Sequence, residues 1–346
     1  MATLRTQRVE ALFHAALALA PKERDELLAR ECGNDDALAR EVRSLLEWHA
    51  EASDLVLPDT PPVPFFAHGL PARIGAWEIV SELASGGMGT VYLARRADGQ
   101  YEQTVALKLI RGGFGERRDE LVRRFLAERQ YLAGLDHPNI ARLLDGGSTE
   151  DGTPYLVMEY VEGIPIDRFC ADNELSIDER LGLVRTVCSA VQFIHSKLLA
   201  HRDLKPSNIL VERGDPPVPK VLDFGIARLL RAEDAATGAT ATTISSQRLT
   251  PAYASPEQFR GEAATTATDV YSLGVVLYQL LTDRLPHDFS GLGPHAIPRI
   301  VCEEPPIRPS SVRPGLSGDL ETIVLEALEK DPARRYQTAQ ELADDI

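Results

Sequence analysis

Two short runs in the sequence carry the side chains best suited to chemistry. They are His201-Arg202-Asp203-Leu204-Lys205-Pro206-Ser207-Asn208 and, fifteen residues after its end, Asp223-Phe224-Gly225. Asp203, Asn208 and Asp223 provide carboxylate and amide oxygens, the hard ligands that Mg²⁺ prefers while it keeps several waters and bridges phosphate groups. The spacing therefore predicts a site for chemistry on a metal-bound phosphate.

A glycine-rich stretch lies upstream of these runs, at Ser85-Gly86-Gly87-Met88-Gly89-Thr90-Val91. Glycines allow backbone N–H groups to approach phosphate oxygens closely. A dinucleotide-binding loop of this kind opens a helix, whereas strand-forming residues follow here, at 91–93. The stretch predicts a strand–turn–strand flap over phosphates, and by itself it is equally compatible with a plain hairpin turn.

Lys108 interrupts an otherwise apolar strand, 105–110, and shares one face with Ala106 and Ile110. A buried lysine requires a partner because an unpaired buried charge costs several kcal/mol. Glu128 is a candidate, since it lies within the apolar stripe of a helix predicted over 116–134. The alternative is that Glu128 is a solvated residue beside that stripe.

The remaining pattern predicts the elements that position these groups. Short strand-like runs occur at 77–80, 91–94 and 104–109, and further strands follow the helix as far as Tyr160. Beyond residue 175 the pattern is mainly helical. A β-rich part followed by an α-rich part indicates an α+β fold with two lobes, not a repeating βαβ sheet.

In this order and spacing the motifs resemble the eukaryotic-type protein kinase family, specifically the serine/threonine branch in its bacterial form. The resemblance covers residues 74–346. It implies the two-lobed protein kinase fold, with a small β-rich N-lobe (74–158) that has one key helix and a larger α-helical C-lobe (162–346). The final helix, which contains Ile346, is expected to be truncated, with further domains downstream.

The resemblance implies a signalling phosphotransferase, a non-specific serine/threonine protein kinase that transfers the γ-phosphoryl group of ATP to Ser and Thr hydroxyls of proteins. Asp203 is expected to orient the acceptor hydroxyl, and Lys205 to contact the transferred phosphate. Lys108, paired with Glu128, is expected to hold the nucleotide phosphates. The metal ligands are Asn208 and Asp223, with Mg²⁺ as the expected ion and Mn²⁺ as an alternative.

The resemblance also places the adenine. Met158 is the gatekeeper, and backbone groups of Glu159 and Val161 pair with the purine. From pattern alone, 155–161 predicts only a buried strand. The other implied nucleotide-binding positions are Leu83, Ala84, Ser85, Gly86, Gly87, Met88, Gly89, Thr90, Val91, Ala106 and Leu210. Ala84 departs from the family, which usually has glycine there.

An activation segment is expected over 223–257, with phosphorylation candidates at Thr242, Thr243 and Ser246. Autophosphorylation, with homodimerisation as one route to it, is expected to regulate activity through Arg202. The alternative is a polar loop without regulation. Structural roles are implied for His201, Arg202, Phe224, Gly225, Glu257, Asp269 and Arg335, with Glu257 and Arg335 as a buried pair and Asp269 bracing the catalytic loop.

Composition limits the other classes of function. The net charge of −15 argues against a nucleic-acid partner, because binding phosphate backbones requires a basic face. Four scattered cysteines suit free thiols in a reducing compartment. No apolar stretch approaches the roughly 18 residues of a membrane span. We therefore expect a cytoplasmic location, with an anchor beyond Ile346 left open.

The N-terminal part has no catalytic signature. Residues 1–52 predict a small helical module of unknown role, either a docking or regulatory element or a simple cap. Residues 53–73 are proline-rich and predict a semi-extended linker.

Three rival functions are a catalytically silent nucleotide sensor, a small-molecule kinase, and a binding module for nucleic acid or peptide. The complete set of Lys108, Glu128, Asp203, Asn208 and Asp223 disfavours the first and third, and Lys205 with the long segment at 223–257 favours a protein substrate over the second.

Overall fold

The computed structural model describes residues 73–86, 89–110, 135–149, 152–222, 251–293 and 296–346. The predicted N-terminal module, nearly all of the linker, the helix at 116–134 and the centre of the activation segment lie outside these ranges. The strands are β1 (Arg73–Ile74), β2 (Trp77–Gly86), β3 (Gly89–Arg96), β4 (Thr104–Ile110), β5 (Leu143–Ser148), β6 (Pro154–Glu159), β7 (Gly163–Pro165), β8 (Ile209–Glu212) and β9 (Val218–Val221).

The α-helices in the described part of the chain all follow the sixth strand. They are α1 (Ile166–Asp172), α2 (Ile177–Ser196), α3 (Pro256–Phe259), α4 (Thr266–Thr282), α5 (Ala296–Glu303), α6 (Pro309–Val312), α7 (Asp319–Ala327) and α8 (Ala339–Asp345). An antiparallel sheet of order β1-β2-β3-β4-β6-β5 thus precedes a helical part that carries a small β7-β8-β9 sheet. The predicted α+β fold with two lobes is confirmed.

The large sheet separates apolar packing from the polar site because successive side chains of a strand point to opposite faces. One face of β4 carries Val105 and Leu107, which are fully buried in a cluster with Trp77, Tyr92 and Val157. The other face carries Ala106 and Lys108. The sheet therefore has its own apolar core on one side, and Lys108 lies on the other side.

The helical lobe is built around α4, which is apolar on almost every side. Fourteen of its seventeen residues are buried, as expected for a helix at the centre of a core. Gly274 allows a close approach here, since a Cβ at this position would lie 2.8 Å from the Cβ of Ala327 in α7. Asp269 is fully buried in the first turn of α4, which places one carboxylate deep inside this lobe.

The long helix α2 begins with a capping box. The hydroxyl of Ser176 accepts from the backbone N–H of Glu179, whose carboxylate accepts from the N–H of Ser176 at 2.8 Å. The buried thiols Cys170 and Cys188 lie in α1 and α2, and burial raises their pKa values to about 11 and about 12. Cys302 is also a free cysteine, and Cys32 lies outside the described residues.

A short backbone connection joins the segment before β5 to strand β9. Ile140 pairs with Val221 of β9 in an isolated parallel bridge. The side-chain amide of Asn139 donates to the carbonyl of Pro219 at 2.9 Å. The strand that leads to residue 222 is thereby attached to the segment that precedes β5.

Candidate active site

The buried carboxylate of Asp269 holds the start of the loop at 201–208. Asp269 accepts the backbone N–H groups of His201 and Arg202, each at 2.7 Å, and its Oδ2 lies 2.8 Å from Nε2 of His195. Because Asp269 is fully buried, these contacts are shielded from water and strengthened accordingly. The start of the loop is therefore attached rigidly to α4.

The ring of His201 fixes the next part of the loop. Its Nε2 donates to the carbonyl of Leu222 at 2.7 Å, and its Nδ1 accepts the backbone N–H of Asp203 at 3.3 Å. These two contacts require the tautomer that carries its proton on Nε2. One imidazole thus sets both the backbone at Asp203 and the residue that precedes Asp223.

Three of the predicted catalytic-loop side chains lie together. Nζ of Lys205 is 3.2 Å from Oδ2 of Asp203. The amide nitrogen of Asn208 donates to the backbone carbonyl of Asp203 at 2.7 Å and to its Oδ2 at 3.2 Å. The side chains of Asp203 and Lys205 are 11% and 23% exposed, so both charges are partly buried and water screens them less than at the surface.

The glycine-rich turn forms at the junction of β2 and β3, where Gly86 pairs with Gly89. Gly89 has φ +145°, and a Cβ there would lie 2.1 Å from the carbonyl oxygen of Leu109. Only glycine fits such a position. Next to it, the hydroxyls of Ser85 and Thr90 are 3.3 Å apart. The first residue of β3 is therefore packed closely against the backbone of β4.

The sheet register brings the predicted nucleotide positions to one face. Val91 pairs with Lys108, and Ala106 pairs with Met158. Directly opposite residues of an antiparallel pair project on the same side. Lys108 is 7% exposed and Leu83 is 43% exposed, at the register shift of β2. The face that carries Lys108 therefore also carries Val91, Ala106 and Met158.

The predicted hinge is held by contacts that the sequence did not indicate. Oε1 of Glu159 accepts from Nζ of Lys220 at 2.5 Å, and its Oε2 accepts the backbone N–H of Arg142 at 3.2 Å. Lys220 lies in β9, where it pairs with Leu210 of β8. Val161 follows and is buried. Both lobes therefore contact the one side chain at the point where the chain passes between them.

Glu257 and Arg335 form a buried, bidentate ion pair. Nη1 and Nη2 of Arg335 each lie 2.8 Å from a carboxylate oxygen of Glu257, and the hydroxyl of Thr268 donates to the same carboxylate at 2.9 Å. Burial alone would raise the pKa of Glu257. The hydrogen bonds and charge of Arg335, together with Thr268, outweigh burial and hold this pKa below its usual value.

Several predicted site residues cannot be located. Glu128, the predicted partner of Lys108, and Asp223, the second predicted metal ligand, lie outside the described residues. The other predicted site residues that lie outside the described ranges are Gly87, Met88, Phe224, Gly225, Thr242, Thr243 and Ser246. In the ranges that are described, no three His, Cys, Asp or Glu side chains gather as a ready metal site.

Four residues that support the site were not predicted from the sequence. Lys220 contacts the hinge and Gln258 contacts the loop, each from another element. His195 contacts Asp269, which holds the loop, and Arg142 contacts the hinge through its backbone. No local pattern distinguishes these residues from ordinary helix, strand or loop residues. Their contacts join positions 17 to 74 residues apart, so only the folded chain reveals them.

Comparison with known proteins agrees with this arrangement. A family model for the protein kinase domain matches residues 77–345. The chain is 39% identical over 274 residues to serine/threonine-protein kinase PknB of Mycobacterium leprae, which covers 78% of this chain and 42% of PknB. It is 37% identical over 273 residues to serine/threonine-protein kinase PrkC of Bacillus subtilis, covering 79% and 40%.

A solved structure gives the same assignment. The crystal structure of Rad53 1-466 in complex with AMP-PNP matches with a TM-score of 0.60 and 26% identity, and covers 78% of this chain and 64% of that one. The chain therefore belongs to the protein kinase family, as the motifs predicted. It spans about two fifths of the length of the curated relatives that it matches. None of the described helices has the length and apolar character needed to cross a membrane.

Proposed function

We propose that this chain is an ATP- and Mg²⁺-dependent kinase that phosphorylates Ser and Thr hydroxyls of proteins. The observation that carries the proposal is the contact of Asp203 with both Lys205 and Asn208, on a loop that Asp269 holds by its backbone. Phosphoryl transfer depends mainly on positioning and on neutralising charge, and a fixed carboxylate beside a fixed cation provides both.

Each catalytic-loop residue has a defined task in this proposal. The carboxylate of Asp203 accepts a hydrogen bond from the substrate hydroxyl and orients its oxygen toward the phosphate. Lys205 contacts the transferred group and balances its negative charge. Asn208 and Asp223 would hold the divalent cation, and hard amide and carboxylate oxygens fit that ion. A divalent cation held there would supply positive charge that offsets the charge of the phosphates.

The nucleotide would lie against the face of the large sheet that carries Lys108. Lys108, with Glu128 as its proposed partner, would contact the phosphates beneath the turn that contains Gly89. The adenine would pair with backbone groups of Glu159 and Val161. The apolar residues proposed to enclose it are Leu83, Val91, Ala106, Met158 and Leu210. Support comes from the register, which turns Val91, Lys108, Ala106 and Met158 to one side.

Regulation is proposed at the activation segment. Phosphorylation of Thr242, Thr243 or Ser246 by a second copy of the chain would add a dianion that Arg202 can bind, and would thereby order the segment. Mass spectrometry after incubation with ATP and Mg²⁺ tests this step. Complete absence of phosphate between residues 233 and 250 would exclude it.

A radiolabelled-ATP assay with a generic basic protein tests the proposed activity. We expect incorporation of label into Ser and Thr that requires a divalent cation, and a loss of at least about a hundredfold for Asp203→Asn. Asp344→Asn is the matched control, because Asp344 is exposed on α8 and its asparagine replacement keeps the acceptor for Gln340. Nucleotide binding without transfer would indicate a sensor, and label found only on small-molecule acceptors would indicate a different kinase class.

A further inference from the structure

Gln258 connects two segments that are distant in the sequence. It lies in α3, and its Oε1 accepts the backbone N–H of Ser255 at 3.0 Å. Its Nε2 donates to the backbone carbonyl of Arg202 at 3.0 Å, across 56 residues. One amide side chain therefore joins the segment that precedes α4 to the catalytic loop.

The carbonyl that Gln258 contacts belongs to an unusual peptide unit. Arg202 has φ +67°, a left-handed conformation that is costly for residues other than glycine. In the peptide that joins Arg202 to Asp203, the carbonyl accepts from Gln258 and the N–H donates to the ring of His201 at 3.3 Å. Both polar groups of that peptide are thus held.

The orientation of this peptide sets the direction of the catalytic carboxylate. The plane between residues 202 and 203 fixes the Cα–Cβ vector of Asp203, since only two soft dihedral angles separate one plane from the next. Asp269 holds the N–H on the other side of Arg202. Gln258 contacts the carbonyl of this peptide, and it lines one small cavity together with Arg202, Asp203 and Tyr253.

We propose that Gln258 is a positioning residue for phosphoryl transfer, which holds the peptide between Arg202 and Asp203 and so aims the carboxylate of Asp203. The inference rests on the proposed kinase function. It also implies that the side chain of Gln258 transmits movement of the segment at 251–258 to Asp203. Gln258 touches neither the substrate nor the nucleotide in this role.

The competing explanation is that Gln258 serves only to complete the capping box of α3, in which its side chain accepts the backbone N–H of the N-cap residue Ser255. Two substitutions separate the roles because they remove opposite halves of the amide. Gln258→Glu keeps the acceptor for Ser255 and loses the donor to Arg202. Gln258→Lys keeps a donor for the Arg202 carbonyl and loses the acceptor for Ser255. Gln100→Glu, at the exposed β3–β4 turn, is the matched control because Gln100 acts there as an acceptor for Arg96.

Steady-state kinetics on a protein substrate and thermal unfolding are measured for each variant. For Gln258→Glu we expect kcat to fall about tenfold, equivalent to about 1.4 kcal/mol, with the KM for ATP within about twofold of the wild type and little change in Tm. For Gln258→Lys we expect a lower Tm and a kcat within about threefold of the wild type. A kcat that falls in proportion to Tm in both variants, or that is unchanged in Gln258→Glu, overturns the inference.

Amide hydrogen exchange tests the same contact without using activity. We expect the peptides that cover residues 199–205 to exchange faster in Gln258→Glu than in the wild type, and to be unchanged in Gln100→Glu. Unchanged exchange in Gln258→Glu would show that the Arg202 carbonyl is held by other means and would also overturn the inference. If the wild type phosphorylates no protein, the proposed function fails, and exchange alone then decides whether Gln258 holds this peptide.

Discussion

Replacing Arg335 with alanine should destabilise the helical lobe more than most single substitutions do. The side chain of Arg335 is fully buried and that of Glu257 is 3% exposed. Besides its two bonds to Glu257, the guanidinium donates to the carbonyls of Ala267, Glu329 and Lys330. Alanine removes all of these donors at once and leaves a buried carboxylate without its cation.

The loss in the free energy of unfolding depends on which buried polar groups each variant leaves without a partner. Removing one partner of a buried ion pair costs about 3–5 kcal/mol, and we expect about 4 kcal/mol for Arg335→Ala, since three carbonyls also lose a donor. Glu257→Gln keeps the shape of the side chain and leaves Arg335 in contact with those carbonyls. We therefore expect a smaller loss, about 2–3 kcal/mol.

Chemical denaturation of the wild type, the two single variants and the double variant Glu257→Gln/Arg335→Ala provides the measurement. A loss of about 4 kcal/mol corresponds to a decrease in Tm of roughly 8–16 °C for a domain of this size. The double variant should lose less than the sum of its single variants, because neither charge remains alone. A loss below about 1 kcal/mol for Arg335→Ala, or strict additivity, would refute the reasoning.

The pair should also give a characteristic dependence on pH. Because the pKa of Glu257 is lowered in the folded state, the unfolded chain binds the proton more tightly. The stabilisation is therefore fully present above the ordinary carboxyl pKa of 4.5 and is lost as the pH falls through the lower, folded value. We expect the difference in stability between the wild type and Glu257→Gln to shrink below about pH 4.5. A stability difference that increases as the pH is lowered would contradict this prediction.

Two further predictions concern backbone and packing. Leu198 is 95% exposed and has φ +59°, a left-handed conformation that is strained for leucine. Leu198→Gly should relieve this strain and stabilise the protein by about 0.5–1 kcal/mol. A decrease in Tm would contradict this prediction. Gly274→Ala should destabilise the protein by about 1–3 kcal/mol, because the new Cβ would lie 2.8 Å from the Cβ of Ala327. Gly182→Ala in α2, where nothing lies within 4 Å of the new Cβ, is the control and should stabilise by about 0.5–1 kcal/mol in the same denaturation assay.

Much of the site could be predicted because its residues are close in sequence or belong to regular elements. The alternation in β4 separates Val105 and Leu107 from Ala106 and Lys108, and the structure buries the first pair in the apolar cluster. Lys205 and Asn208 lie two and five residues from Asp203, so one loop brings all three together. The apolar character of α4 likewise follows from its own composition.

The supporting contacts could not be predicted, because they join segments whose distance is decided by tertiary packing. Lys220 contacts Glu159 across 61 residues, and Gln258 contacts Arg202 across 56. Gln258 interrupts no hydrophobic pattern, and the apolar neighbours of Lys220 in β9 do not indicate where along the chain its partner lies. A polar residue on a surface-like pattern gives no sign that folding will bury or bond it.

The sequence alone determined the lobed α+β architecture, the order of its motifs and the side chains available for chemistry, since hydrophobic period and motif spacing are local properties of a chain. Tertiary structure decided how those side chains are aimed. The strand order, the carboxylate of Asp269 beneath the loop and the amide of Gln258 beside it all depend on contacts between distant segments. Such contacts form only when the packing of the whole lobe compensates for the entropy of closing the loops between them.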